Sequence, residues 1–215
     1  DPGIWETFDG ASWVTPLGAP GAAEANVITV GDGHTVTISI FDVEVDQMII
    51  EPTGHVIVTE PAINVMDGPG VDILCYGTLD LASGSIFNSF SSIEFATGAT
   101  LNWGGLGSIG GDGTVEIDNG ANVVLDGAAT HYLSDFIVVN NHGTSTWISG
   151  SISFSDGGAV FNNYGLFNMQ ANETMLAENG NGTFTNLPGG LISLDLGATS
   201  VMDASLEFNN EGRVN

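Results

Sequence analysis

The amino-acid sequence predicts an all-β protein wound as a parallel β-helix of about nine turns, with about 22 residues in each turn. The first observation is a recurring motif in which apolar and polar residues alternate and are followed by asparagine and glycine, as in residues 161–165 and 206–212. The second is its period. Bend glycines recur at steps of 21 to 25 residues, namely Gly33, Gly54, Gly77, Gly98, Gly120, Gly143, Gly165, Gly190 and Gly212. Nine copies at a nearly constant period indicate a repeat architecture.

The chemistry of one repeat identifies the kind of repeat. Alternation with a period of two gives a strand with one buried face, and asparagine and glycine tolerate the positive φ values of a sharp bend. A turn of this length is shorter than a strand–helix–strand unit of about 30 residues, but it holds two or three short strands. A β-sandwich explains the alternation but not the fixed period, because its turn signals recur about every 8–12 residues. Stacked turns would align their asparagines as a hydrogen-bonded ladder, with the bend positions Asn140, Asn141, Asn162, Asn163, Asn209 and Asn210.

Residues 1–26 do not fit the repeat, which occupies residues 27–215 as one domain. Two short segments on either side of Asp9 and Gly10 carry Trp5, Phe8 and Trp13 and predict an aromatic hairpin. We expect this hairpin to cap the open first turn, where a solenoid otherwise exposes apolar side chains and unpaired backbone. The alternative is a connector that packs on another domain.

The strand before each bend predicts one inward column and one outward column. The inward column is expected to hold Ile73, Phe95, Ile117, Val138, Phe161, Phe184 and Phe208. The outward column is expected to hold Asp72, Glu94 and Glu116, followed by Ile137 and Val160. Exposed apolar residues on adjacent strands would form a contact surface, although a covering loop explains them equally well.

Charge limits the possible partners. The chain of 215 residues has 26 acidic residues, no lysine and a single arginine, for a net charge of -25. Nucleic acid and anionic lipid are excluded as partners because both require cationic side chains. No apolar run approaches the roughly 20 residues of a membrane span, so membrane insertion is not expected. Cations are the expected partners.

Two groups of acidic residues are candidate calcium ligands. Asp42, Glu44 and Asp46 alternate along one predicted strand, and Asp72, Glu94 and Glu116 follow one another at intervals of 22 residues. Like charges about 5 Å apart repel one another unless a cation bridges them or a proton neutralises one of them. We expect Ca²⁺ to raise stability. A solvated acidic face is the alternative.

Residues 27–38, with Trp13 before them and the Phe-Asn-Asn-x-Gly copies after them, resemble the β-helical repeats of large secreted bacterial surface proteins. The chain is most similar to the cargo proteins of type IX secretion and more distantly similar to filamentous-haemagglutinin-like adhesins. The resemblance implies a right-handed β-helix at the cell surface or outside the cell, in a noncatalytic structural or adhesive role. This family carries no fixed catalytic residues, so none are transferred.

The alternative is a β-helix that binds or cleaves carbohydrate. A site resembling that of the pectate lyases needs an arginine or lysine base beside Ca²⁺, whereas the only cationic side chain here is Arg213. The adjacent aspartate pair of polygalacturonase-like enzymes is also missing from the sequence. We therefore expect no catalysis.

The sequence also predicts contacts at the ends of the solenoid. Leu206, Phe208 and Val214 belong to a last turn that has no successor in this sequence. Edge strands with unpaired backbone groups favour pairing with another chain. We expect either copies joined end to end, with Trp5, Phe8 and Trp13 at the opposite end, or adjoining domains of a longer adhesin.

Overall fold

The computed structural model describes residues 27–39, 42–60 and 62–215, together with the backbone of residues 7–8 and 13–14. The described chain is a parallel β-solenoid of about eight turns with about 22 residues per turn, which confirms the predicted fold class. Its strands form three parallel sheets along the solenoid, here named sheets I, II and III in the order in which each turn visits them. The only helical segment among the described residues is a 3₁₀ turn at Glu178–Gly180.

The strand bounds are as follows. Sheet I contains Ile28–Val30, Met48–Ile50, Ile73–Cys75, Ser92–Phe95, Thr114–Ile117, Val138–Asn141, Val160–Asn163, Thr183–Asn186 and Glu207–Asn210. Sheet II contains Thr35–Ile38, His55–Val58, Thr78–Leu81, Thr100–Trp103, Asn122–Leu125, Thr144–Trp147, Leu166–Met169, Leu191–Leu194 and Arg213–Val214. Sheet III contains Val43–Val45, Ala62–Val65, Ser85–Asn88, Ser108–Gly111, His131–Ser134, Ile152–Ser155, Thr174–Ala177 and Val201–Met202.

A separate hairpin precedes the solenoid. Thr7–Phe8 pairs antiparallel with Trp13–Val14, so that Phe8 lies opposite Trp13. The two strands fall within the predicted aromatic hairpin. Trp5 and the side chains of Phe8 and Trp13 lie outside the described residues, so the cap stays a prediction.

The core is one continuous column between the three sheets. Alternate residues of most strands point inward and are buried, as in Thr78–Leu81, where Leu79 and Leu81 are inaccessible to solvent. Sheet I supplies two inward columns. The first holds Ile73, Ile93, Val115, Val139, Phe161, Phe184 and Phe208, and the second holds Cys75, Phe95, Ile117, Asn141, Asn163, Asn186 and Asn210.

The predicted inward column therefore mixed two real ones. Phe95 and Phe161 are both buried, as predicted, but they belong to different columns. Val138 was placed wrongly. It lies on the outer face between Thr114 and Val160. The cause is the corner between sheets III and I, whose length varies, so that a count of 22 residues does not preserve the register.

The nine bend glycines all lie in the corner between sheets I and II. Glycine is required there for two different reasons. Gly33, Gly98 and Gly120 have positive φ values of 75°, 90° and 88°. The other six lie outside that region, so the expected reason was wrong for them. A Cβ at any of these six would lie 2.2–2.5 Å from a backbone carbonyl oxygen of the preceding turn, for Gly54, Gly77, Gly143, Gly165, Gly190 and Gly212. Glycine is required there by close packing of adjacent turns.

This difference predicts unequal costs for alanine. Gly143→Ala is expected to lower the free energy of unfolding by about 3 kcal/mol, because Ala121 O and Asp118 O lie 2.4 and 2.6 Å from the new Cβ and the backbone must move. Gly98→Ala has no atom within 4 Å of its Cβ and is expected to cost only about 1 kcal/mol for its positive φ. Urea denaturation of both variants measures the difference, and a larger loss for Gly98→Ala would contradict the packing explanation.

Candidate functional site

Two of the acidic residues predicted from the sequence, Glu94 and Glu116, lie on the outer face of sheet I. They belong to a column of mostly polar side chains that continues from turn to turn. In register from turn to turn, this column holds Leu74, Glu94, Glu116, Asn140, Asn162, Thr185 and Asn209. The predicted neighbours Glu94 and Glu116 are therefore side by side. The predictions for Asp72, Ile137 and Val160 were wrong, because Leu74, Asn140 and Asn162 occupy their places.

The acidic pair is part of a hydrogen-bonded network. Glu116 Oε1 accepts a hydrogen bond from Asn140 Nδ2, and Asn140 Oδ1 accepts one from Asn162 Nδ2 at 2.9 Å. Glu116 Oε2 lies 3.9 Å from His142 Nε2, and the His142 ring stacks on Tyr164 with centroids 4.4 Å apart. The network ties Glu116 to the next two turns.

Glu94 has the less favourable position of the two carboxylates. Partial burial raises its pKa, and the negative charges of Asp118 and Glu116 raise it further. Glu94 therefore holds a proton more readily than an isolated glutamate. Two adjacent carboxylates with one raised pKa can share a proton or a cation.

Asp72 has a structural role that the sequence did not reveal. Its side chain is only 1% exposed. Oδ1 accepts a hydrogen bond from Gly68 N at 2.9 Å, and Oδ2 accepts one from Ser92 N at 2.7 Å. Asp72 is the last residue of the long 66–72 corner, and its side chain turns inward. The hydrogen bond that it accepts from Ser92 N joins that corner to the next turn.

The other predicted acidic cluster is dispersed. The strand Val43–Val45 is only three residues long, so Asp42 and Asp46 lie at its opposite ends, outside the strand. Asp42 Oδ1 accepts a hydrogen bond from Ala62 N at 2.9 Å, while Glu44 is exposed beside Asn64. Across the described residues, no three histidine, cysteine, aspartate or glutamate side chains are placed to hold a metal ion.

Sequence reasoning missed a second polar contact on the outer face of sheet II. His55 Nε2 lies 2.6 Å from Asp80 Oδ2, and Asp80 Oδ1 accepts a hydrogen bond from Asn102 Nδ2 at 2.7 Å. His55 pairs with Thr78, so the contact is diagonal between neighbouring strands. No sequence motif marks a pair 25 residues apart.

A third site, which the sequence did not indicate, lies inside the solenoid. His131 is fully buried, with Nε2 3.0 Å from Ser149 O and its ring edge-on to Trp103 at 5.6 Å between centroids. Burial lowers its pKa, against the smaller opposing effects of Ser149 O and the Asp126 charge. His131 is therefore held neutral as a core residue.

The predicted interface residues have different environments. Ile137 and Leu206 are buried, so neither offers the contact surface expected of it. Val160 is half-buried on the outer face of sheet I. Phe208 and Val214 in the last turn are 40% and 56% exposed. Of the predicted interface residues whose side chains the structure describes, only these last two present a substantial apolar surface.

Comparison with known proteins adds no assignment. No protein-family model, no curated protein and no solved structure matches the chain. Among the described residues, no helix is long and apolar enough to cross a membrane.

Glu94→Gln is expected to raise the melting temperature at pH 7. The raised pKa means that the folded state favours the protonated form, so the stabilising contribution of Glu94 is present at low pH and is lost as pH rises through the folded-state pKa. The difference between variant and wild type should vanish below about pH 4, where the carboxyl is protonated in both states. Glu44→Gln, which changes an exposed residue of sheet III, is the matched control. A lower melting temperature for Glu94→Gln at pH 7 would contradict the assignment.

Calcium is expected to raise the melting temperature relative to chelator. The expectation now depends on Glu94 and Glu116, since these are the only two of the six predicted ligands that stand in adjacent register. A cation that bridges them would offset their repulsion. Melting in chelator and in millimolar Ca²⁺, with Glu94→Gln in parallel, measures the effect. An unchanged midpoint in the wild type would leave a solvated acidic face.

Proposed function

We propose that this chain is a noncatalytic structural or adhesive module of a secreted or cell-surface protein, in which the solenoid serves as a stiff rod. The observation that carries the proposal is the unbroken bonding between turns. Nine, nine and eight strands stack in sheets I, II and III, and a buried asparagine ladder runs beside them. A rod of about eight turns at about 4.8 Å each spans roughly 40 Å.

The use of the carboxylates supports a noncatalytic role. Both oxygens of Asp72 and both oxygens of Asp80 accept hydrogen bonds or contact a histidine, and Glu116 is bonded to Asn140. Apart from the bond between Asp72 and Gly68, which lies within one corner, these contacts run from turn to turn and so stabilise the stacking. A glycosidase instead needs two carboxyl groups placed about 5–9 Å apart on either side of a bond.

The extracellular location is proposed from the resemblance of residues 27–38 and the Phe-Asn-Asn-x-Gly copies to secreted surface proteins. The net charge of -25 is compatible with that location, because a strongly charged surface keeps rods soluble and apart.

The last turn supports a proposal about assembly. Val201–Met202, Glu207–Asn210 and Arg213–Val214 each form the outermost strand of a sheet. Exposed apolar side chains accompany them, including Leu196, Val201, Phe208 and Val214. Such an edge is a template for another strand. We propose that a further β-turn stacks there, contributed by an adjoining segment of a longer chain or by a second copy.

Turnover and shape test the proposal together. The purified chain is expected to release no reducing ends from a panel of polysaccharides and to appear as a short rod by electron microscopy. Release of sugar that is abolished by Glu116→Gln or His55→Ala would overturn the noncatalytic role.

Light scattering over a range of concentrations tests stacking between copies. Association is expected in the wild type and is expected to be lost in Phe208→Asp/Val214→Asp. Leu106→Asp, an exposed residue in the middle of the rod, is the control. A wild type that stays monomeric at high concentration would rule out stacking of copies.

A further inference from the structure

Three exposed phenylalanines lie along one edge of the solenoid. Phe87 is on the outer face of sheet III, Phe90 is in the corner that follows it, and Phe136 is in the same corner two turns later. Their exposures are 43%, 73% and 60%. Single exposed apolar residues are normal on a protein surface, but three exposed phenylalanines along one edge within two turns indicate a site of interaction. We call these three residues the phenylalanine edge.

The backbone at Phe90 adds a second observation. Its φ is +57°, in the left-handed region that favours glycine. A residue with a Cβ costs about 1–2 kcal/mol there. In other turns, positive φ values at this place belong to Asp135, Asp156 and Gly157 in the corner, or to Gly111 at the end of the strand before it. A phenylalanine in this conformation that buries little of its side chain contributes little to folding, so its presence points to a use outside the core.

Charge along the phenylalanine edge defines the partner. Asp112 lies in the corner between those of Phe90 and Phe136, Asp135 adjoins Phe136, and Asp156 lies one turn further. Asp112 and Asp156 are exposed, while Asp135 accepts a hydrogen bond from Gly111 N at 3.2 Å. The single arginine of the chain is in the last turn. This edge therefore repels anions and attracts cationic groups.

We propose that the phenylalanine edge binds a basic protein segment. Apolar side chains of the segment pack on Phe90 and Phe136, while its lysines or arginines meet Asp112 and Asp156 and lie over the phenyl rings. Binding uses side chains, because strands Ser85–Asn88 and His131–Ser134 already have partners on both sides. The inference rests on the proposed adhesive role and is independent of stacking between copies.

Fluorescence anisotropy with two labelled peptides tests this inference. One peptide alternates lysine with leucine, and the other, of equal length, alternates lysine with serine. The wild type is expected to bind the lysine–leucine peptide roughly tenfold more tightly, a difference of about 1.4 kcal/mol. Phe90→Asn/Phe136→Asn should lose this preference, whereas Leu106→Ser/Ile148→Ser, which changes exposed residues in the corner between sheets II and III, should keep it.

Two results would overturn the inference. One is an equal preference for the lysine–leucine peptide in the Phe90→Asn/Phe136→Asn variant and the wild type. The other is retention of the wild type on cellulose or chitin that depends on Phe90 and Phe136, without peptide preference, which would make the edge a carbohydrate site. The Phe90→Asn/Phe136→Asn variant is expected to fold, because asparagine tolerates the φ of Phe90. Its melting temperature should not fall. Neither result affects rod shape or the absence of turnover, so the proposed structural role is tested separately.

Discussion

Phe161→Ala is expected to lower the free energy of unfolding by about 3–5 kcal/mol. The Phe161 ring is buried and nearly parallel to that of Phe184, with centroids 5.1 Å apart and an angle of 4° between planes. It also meets the Phe167 ring edge-on at 5.5 Å. Phe184 is held by the strand one turn later and Phe167 by the next strand of the same turn, so the cavity cannot collapse easily. Urea denaturation followed by circular dichroism measures the loss.

Phe208→Ala is the matched control for Phe161→Ala. Phe208 belongs to the same inward column, but it is 40% exposed and contacts Phe184 in a tilted arrangement at 6.1 Å. Removing a half-exposed ring is expected to cost about 1 kcal/mol, since it loses less buried area. If Phe161→Ala costs no more than Phe208→Ala, burial of the aromatic stack does not stabilise the fold.

Asn163→Ala is expected to cost about 3 kcal/mol, because an unpaired buried polar group costs about 1–3 kcal/mol. Asn163 Oδ1 accepts a hydrogen bond from Asn141 Nδ2 at 2.8 Å, and its Nδ2 donates to Asn186 Oδ1 at 2.8 Å. The substitution leaves Asn186 Oδ1 without its donor and removes one of the two acceptors of Asn141. Chemical denaturation measures the change in stability.

Asn162→Ala tests whether burial is the cause. Asn162 is the adjacent residue, and its amide donates to Asn140 in the outer column, where the side chain is only half-buried. Water replaces this bond, so the expected loss is below about 1 kcal/mol. Equal losses for Asn162→Ala and Asn163→Ala would contradict an essential buried ladder.

The features that the sequence predicts well are those set within a single turn. Alternation of apolar and polar residues determines which side of a strand is buried, and the bend motif marks the corner between sheets I and II. That corner is always two residues long, as at 76–77, or four residues long, as at 118–121. The period, the positions of the bend glycines and the stacking of asparagines follow from these local signals. The placement of the asparagines in the bend was wrong: they end the strands of sheet I, and none has a positive φ value, for Asn140, Asn141, Asn162, Asn163, Asn209 and Asn210.

The features that the sequence predicts poorly depend on the corner between sheets III and I. It ranges from two residues at 112–113 to seven at 66–72, and no pattern within the strands reports its length. A fixed count therefore placed Asp72 and Ile137 in an outer column to which they do not belong. Contacts between turns, such as that of His55 with Asp80 or of Gly143 with Ala121 O, are equally invisible without the register.

The buried asparagines give the rod a direction. Each amide donates in the same sense, from Asn141 to Asn163, then to Asn186 and to Asn210. The ladder is therefore a row of aligned dipoles with unlike ends, a carbonyl oxygen at Asn141 and an N–H group at Asn210. A turn added beyond Asn210 meets a donor, so an acceptor at the matching position would extend the row. Two rods that met through their Asn210 ends with unchanged amides would set donor against donor. A copy stacked there by its first turn would bring Val30 of the same column to that position, which offers no acceptor. The row therefore favours an added turn that carries its own acceptor in this column.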